Sequence, residues 1–223
     1  MRITVIANAL PPPKEVFLRS CRESDLVLAA DGGANFCRDL GITPHWIIGD
    51  LDSISASNLD FFQSVHSIVY RFPVEKDETD LELALKQAVR LGADKIHLFS
   101  WADERVDYSL GTLFVVNTLS VPIELYTQRA HVFVVNRKSS PWRDSVTKFK
   151  TNRGKQNRKI SIFPLIGPVT LKTKGLKWNL NWRKGDSVQR ISQSNEIIGK
   201  EAEIHCKSGA IFIVVDASAR PHS

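Results

Sequence analysis

The sequence predicts an N-terminal α/β domain, a mostly parallel sheet sandwiched between helices, followed by a C-terminal β-sandwich. Three observations carry this. Short apolar runs alternate with helix-like segments through the first half, only strand-like pieces follow His131, and 223 residues with 43% hydrophobic content suffice for two modest cores. The boundary is expected near residue 127, giving a first domain at 1–126 and a second at 127–223.

The alternating segments are 3–7, 15–21, 26–30, 36–40, 46–48, 59–62 and 68–72. The first lies in MRITVIANAL, which is too short for the ~18–20 apolar residues of a membrane span and reads as a first strand rather than a signal peptide. The clearest helix is 80–91, where Leu81, Leu83, Ala84, Leu85, Ala88, Val89 and Leu91 make a broad apolar stripe. Thr79 and Glu82 have capping-box spacing at its start, and Gly92 stands where a C-terminal cap is wanted. Segments 96–99 and 123–126 read as further strands of the sheet, with a helix over 108–119. Beyond them, 132–135, 160–165, 169–173, 187–191, 202–205 and 211–216 read as short strands separated by Gly, Asn, Lys and Ser turns.

Thirty Lys and Arg against 24 Asp and Glu give a formal charge of +6, which suits nucleic acid or polyanionic small molecules alike. Nine of the basic residues lie in 137–159 with one Asp, among Ser, Pro, Asn and Gly, so that stretch reads as an exposed loop. It also holds Trp142 and Phe149, but no zinc knuckle or RNP-like motif accompanies them, and nucleic-acid binding is set aside. Cys21, Cys37 and Cys206 are too scattered for a disulfide framework and include no C-x-x-C pair. A cytoplasmic protein without membrane attachment is expected.

Chemistry concentrates in three acidic clusters. Gly49-Asp50-Leu51-Asp52-Ser53 sets two carboxylates two residues apart at the end of a buried strand, where ligand sites of open α/β sheets form. In extended backbone both would point the same way and share one cation, with Gly49 admitting close approach of a ligand. Lys76-Asp77-Glu78-Thr79-Asp80 precedes the clearest helix, and Asp31-Gly32-Gly33-Ala34-Asn35 follows the second strand. Carboxylates gathered together need positive charge between them, and oxygen donors without His or Cys favour magnesium over zinc.

Read together, DGGAN at 31–35, GDLDS at 49–53, KDETD at 76–80, Gly175 to Leu180 and Ser194-Asn195 resemble the thiamine pyrophosphokinase family over nearly the whole chain. The resemblance implies transfer of diphosphate from ATP to the hydroxyl of thiamine, yielding AMP, by a homodimer with its sites between domains of different subunits. It places Asp50, Asp52 and Asp80 as magnesium ligands and Arg105 and Asp107 as catalytic groups. Asp31, Gly32, Gly33, Asn35, Lys76, Asp77 and Thr79 would meet the nucleotide, with Lys76 and Arg105 near the triphosphate. Trp178, Ser192, Ser194 and Asn195 would meet thiamine, Trp178 through its flat face and Ser194 and Asn195 through the pyrimidine edge.

The chain departs from the family pattern at Trp101 to Tyr108, where Asp103 and Glu104 replace a glycine pair and Tyr108 replaces a histidine; Thr112 replaces an asparagine. Acidic side chains facing a triphosphate would repel it. Two alternatives to the thiamine enzyme follow: a diphosphokinase acting on another alcohol such as a hydroxymethyl pterin, and a thiamine- or nucleotide-binding protein with weakened turnover.

Overall fold

Apolar, often β-branched runs of four or five residues build the strands of the first part of the chain, and helices connect them. In the computed structural model these are β1 (Arg2–Ile6), α1 (Lys14–Glu23), β2 (Leu26–Ala30), α2 (Gly33–Asp39), β3 (Trp46–Gly49), α3 (Ala56–Ser64), β4 (Ile68–Arg71), α4 (Asp80–Arg90), β5 (Lys95–Phe99), α5 (Val106–Thr118) and β6 (Ile123–Tyr126). The structure describes residues 1–102, 105–135, 146–150, 158–183 and 190–217. The chain divides into two units, Met1–Gln128 and Arg129–Ser223.

In the first unit every strand pair is parallel, in the order β4-β3-β2-β1-β5-β6. The chain steps outward from β1 to β4, then returns to the other side of β1 as β5. The carboxyl ends of β1 and β5 are therefore a topological switch point, the position where open α/β sheets leave a crevice. Alternation decides which residues face which layer. Ile6, Ala29, Ile47 and Phe99 join Phe17 of α1, Ala34 and Cys37 of α2 and Phe62 of α3 in one buried cluster. Helix α4 packs on β1, β2 and β3 through Leu83, Ala84, Leu85 and Ala88, which lie outside that cluster. Thr79 Oγ1 accepts from the Glu82 amide at 3.2 Å and caps α4.

The second unit holds β7 (Ala130–Val135), β8 (Val146–Lys150), β9 (Arg158–Lys174), β10 (Asn181–Trp182), β11 (Ser192–Ile197) and β12 (Glu201–Asp216), all paired antiparallel within the unit. β12 is the hub. Its first half pairs β8, its second half pairs β7, and β9 runs along both. Residues of both halves, Ile204 and Cys206 with Ile211 and Ile213, bury into one cluster with Ile162 and Leu171, so the two ladders face each other across a shared core.

The sequence expected breaks at 166–168 and 206–210. The structure instead carries single bent strands through them, with register shifts between Cys206 and Ile211. A bulge absorbs extra residues without ending a ladder, which is why the Gly-Pro and Ser-Gly signals mislead here. Strands β8, β10 and β11 have no counterpart in the expected set, and most of the expected 187–191 strand lies outside the described residues. Among the described residues no helix is long and apolar enough to cross a membrane.

Leu85, 0% exposed in α4, carries the packing of that helix on the sheet. Leu85→Ala is expected to cost about 3 kcal/mol in urea unfolding, whereas Leu10→Ala, at a side chain 50% exposed, should stay within about 0.5 kcal/mol.

Candidate functional site

Two strand ends and the start of α4 deliver the acidic residues to one place. Asp31 directly follows β2, its amide donating to Ile48 O at 2.9 Å so that it extends the ladder. Its backbone then turns left-handed at φ 43°. Asp50 follows β3, and Leu51 turns left-handed at φ 68°, letting the Asp52 amide reach Asp50 Oδ1 at 3.3 Å. The two carboxylates are thus brought together by a turn rather than by the extended alternation expected from sequence. Burial of the Leu51 side chain in the α1–α3 cluster offsets that turn's cost.

Asp31, Asp50 and Asp52 each present an oxygen within 4.8 Å of the others. The expected trio had Asp80 in place of Asp31. Asp80 stands instead against Lys76, whose Nζ lies 3.0 Å from Asp50 Oδ2 and 3.1 Å from Asp80 Oδ1. The second of these is an ion pair without hydrogen-bond geometry, and Asp80 Oδ1 is buried with no hydrogen-bond partner. A Cβ on Gly49 would lie 2.9 Å from Asp31 Cβ and 3.0 Å from Asp80 Cγ. The glycine therefore makes room for two carboxylates, a closer constraint than the ligand approach expected of it.

Charge follows geometry. The Lys76 hydrogen bond holds the Asp50 carboxyl below its usual range against the opposing effect of burial. Burial pushes Asp31 up, partly countered by bonds from Ser53 and Gly32. Burial acts to lower Lys76, but its pairing with Asp50 and Asp80 leaves it raised. The oxygen-only donor set of Asp31, Asp50 and Asp52 fits a hard divalent cation such as magnesium.

These groups line a cavity of about 800 Å³ at the switch point, together with Thr79, Arg105, Asp107 and Thr112. Arg105 Nη2 bonds Asp107 Oδ2 at 2.6 Å and stacks over the Tyr108 ring at 4.1 Å, while Asp103 and Glu104 lie outside the described residues. That bond lowers the Asp107 carboxyl below its usual range.

Four expected nucleotide residues do not line the cavity: Gly32, Gly33, Asn35 and Asp77. A Cβ on Gly33 would strike Ile6 O and one on Gly32 the Asn8 side chain, so both glycines serve the seating of α2 on β1. Asn35 donates to Ser53 O at 3.0 Å and accepts from Asn58 Nδ2 at 2.9 Å, tying the acidic loop to α3. Asp77 is exposed in the approach to α4. Ser100 and Trp101, neither of them among the expected site residues, also line the cavity. Their signal is positional only, directly after the buried strand β5.

In the second unit Trp178 is 56% exposed and its backbone is clamped. Asn195, 1% exposed, accepts from the Trp178 amide at 3.1 Å and donates to Trp178 O at 2.7 Å and Ser192 Oγ at 3.2 Å. Its Oδ1 also accepts from the Glu196 amide at 2.9 Å. The expected contact of Asn195 with a pyrimidine edge is therefore corrected: its amide is committed to holding the Trp178 loop. Ser192 is buried beside it, and Ser194 is exposed with a left-handed φ of 56°.

Residues 17–127 match the family described as thiamin pyrophosphokinase, catalytic domain, and residues 146–211 its vitamin B1 binding domain. The thiamine pyrophosphokinase of Bacillus subtilis (strain 168) is 24% identical over 196 residues, covering 86% of this chain and 87% of that protein. In fold the chain resembles thiamin pyrophosphokinase from Candida albicans, with TM-score 0.77, 18% identity and coverage of 96% and 89% of the two chains. It also resembles the Geobacillus thermodenitrificans protein, with TM-score 0.76, 21% identity and 97% coverage of each.

Lys76→Met strips the cluster of its internal cation and is expected to cost about 3 kcal/mol of urea unfolding free energy at pH 7 without metal. The Asp50 pKa is depressed in the fold, so the pair's contribution is present above the unfolded carboxylate value of about 4 and is lost as pH falls through the folded one. The difference from wild type should shrink between pH 7 and pH 3; a constant difference would contradict the pairing.

Proposed function

The chain belongs to the thiamin pyrophosphokinase family, and we propose that it transfers diphosphate from ATP to the hydroxyl of thiamine with magnesium in the switch-point cavity, releasing AMP. The observation that carries this reading is the convergence of Asp31, Asp50 and Asp52 beside the Asp50–Lys76–Asp80 ion pair at the ends of parallel strands. A polyphosphate brought there meets an oxygen-lined cation site and a fixed ammonium group together.

In the proposed mechanism Asp50 and Asp52 hold the metal with Asp31 as third carboxylate, and Asp80 fixes Lys76 from the other side. Bound magnesium would neutralise phosphate charge and polarise the diphosphate being moved. Lys76 and Arg105 face the triphosphate as the cations that stabilise charge in the transition state. The thiamine oxygen attacks the β-phosphorus, the bond from that phosphorus to the α–β bridging oxygen breaks, and AMP departs with the bridging oxygen. Asp107 orients the hydroxyl and receives its proton. Its pairing with Arg105 makes it a weak base, which suffices where the transition state is loose and bond formation to the nucleophile lags.

Trp178 offers the acceptor a flat, exposed aromatic face, and Asn195 acts through it as a positioning residue. The family resemblance supports a homodimer and a cytoplasmic setting as parts of the same proposal.

Two experiments test the reading. Purified protein with magnesium, ATP and thiamine should form AMP and thiamine diphosphate in equal amounts, with Asp50→Asn and Asp52→Asn each lowering kcat/KM at least roughly 100-fold, about 2.7 kcal/mol of transition-state stabilisation. Failure of the wild-type protein to couple the two products would sink it. Asn195→Ala should raise KM for thiamine about 10-fold, approaching the effect of Trp178→Ala, while KM for ATP stays within about twofold. An equal rise in both constants would refute a role confined to the acceptor.

A further inference from the structure

We infer that Ser100 and Trp101 form a donor pair for the nucleotide, hydrogen-bonding through Oγ and indole Nε1 to oxygen acceptors of its triphosphate or ribose. The inference rests on the reading of the switch-point cavity as the nucleotide site. It concerns the two residues that lead into the segment where Asp103 and Glu104 stand in place of the family's glycine pair.

Position comes first. Ser100 and Trp101 directly follow β5, across the switch point from β1. The segment is fixed along the chain after β1: the Ala7 amide donates to Phe99 O and the Ala9 amide to Ser100 O, both at 2.9 Å. Ser100 is held left-handed at φ 53°, a conformation a serine adopts only where its surroundings impose it.

Burial makes the argument chemical. Ser100 is 4% and Trp101 8% exposed, both line the cavity, and neither Ser100 Oγ nor Trp101 Nε1 has a hydrogen-bond partner. Two adjacent buried donors left unmade are costly, and such groups are normally satisfied by protein, water or ligand. An indole N–H only donates, so its partner must be an acceptor.

The other wall of the cavity strengthens the assignment. Asp31, Asp50, Asp52 and Asp80 are carboxylates, which when ionised only accept hydrogen bonds and repel phosphate unless a cation stands between. Direct hydrogen bonds to the oxygens of a polyanion come from donors on the lining, which are Lys76 and Arg105 of the proposed mechanism and, already desolvated, Ser100 and Trp101.

The test pairs kinetics with a direct view of the indole. Trp101→Phe keeps an aromatic ring but removes the donor; it should raise KM for MgATP about 5- to 20-fold with kcat within about twofold and KM for thiamine unchanged, and Ser100→Ala should act in the same direction. In the 15N-indole spectrum of the wild-type protein, the Nε1–H resonance absent from the Trp101→Phe variant should move downfield on adding MgATP. Movement with magnesium tripolyphosphate assigns the acceptor to phosphate, and movement with adenosine assigns it to the nucleoside. An unmoved resonance under saturating MgATP, or a variant with wild-type KM, overturns the inference while leaving the diphosphokinase reading intact. A wild-type protein that neither binds nor turns over MgATP overturns both.

Discussion

Repulsion among four carboxylates is the constraint around which the first unit is arranged. Asp31, Asp50, Asp52 and Asp80 gather at one end of the parallel sheet, and like charges so placed destabilise the fold unless a cation answers them. Lys76 answers two of them, with its side chain only 12% exposed and Asp50 at 11%. Desolvation penalises each charge separately, while the bonds between them hold both ionised. Lysine thus stabilises the cluster before any substrate arrives, and the part of it around Asp31 and Asp52, which stand outside that pairing, is where an external cation gains most.

The sheet supplies the convergence at small cost because strand order does the work. With β1 central, the carboxyl ends of β2, β3 and β5 meet around the end of β1. Each strand needs only one unusual residue after its last ladder bond to turn a side chain inward. Gly49 completes this by having no side chain where a Cβ would strike both Asp31 and Asp80. The second unit solves a simpler problem, since a buried asparagine both accepts from and donates to the backbone of one tryptophan and so keeps its loop in place.

The architecture was legible in the sequence because periodicity reports burial. The alternation through the first half gave its strands and helices in order, and the stripe from Leu81 to Leu91 gave α4 with its Thr79 cap. The Asp50/Asp52 pair was legible for a related reason, as two carboxylates at a buried strand's end leave few structural explanations. What escaped was three-dimensional. Linear spacing cannot tell that Asp31 joins the pair while Asp80 turns to Lys76, since that depends on β2 lying next to β3. Nor can it tell a glycine that frees space for α2 from one that receives phosphate, or a bulge in β12 from a turn between two strands.

Backbone strain gives an independent reading of where the molecule is specialised. Non-glycine residues with positive φ number five among the described residues, and Asp31, Leu51 and Ser100 follow three strands at the cavity while Ser194 lies near the clamped tryptophan loop. A left-handed conformation costs such residues roughly 1–2 kcal/mol apiece. The cost is not offset by local hydrogen bonding at Ser100, whose hydroxyl has no partner. Strain that persists without local compensation has to be imposed by the surrounding fold, and it concentrates where a side chain is being aimed at something outside the chain. That the same short arc of strand ends collects the strained residues, the crowded charges and the unpaired donors argues that these are one adaptation to a ligand rich in both charge and acceptor oxygens.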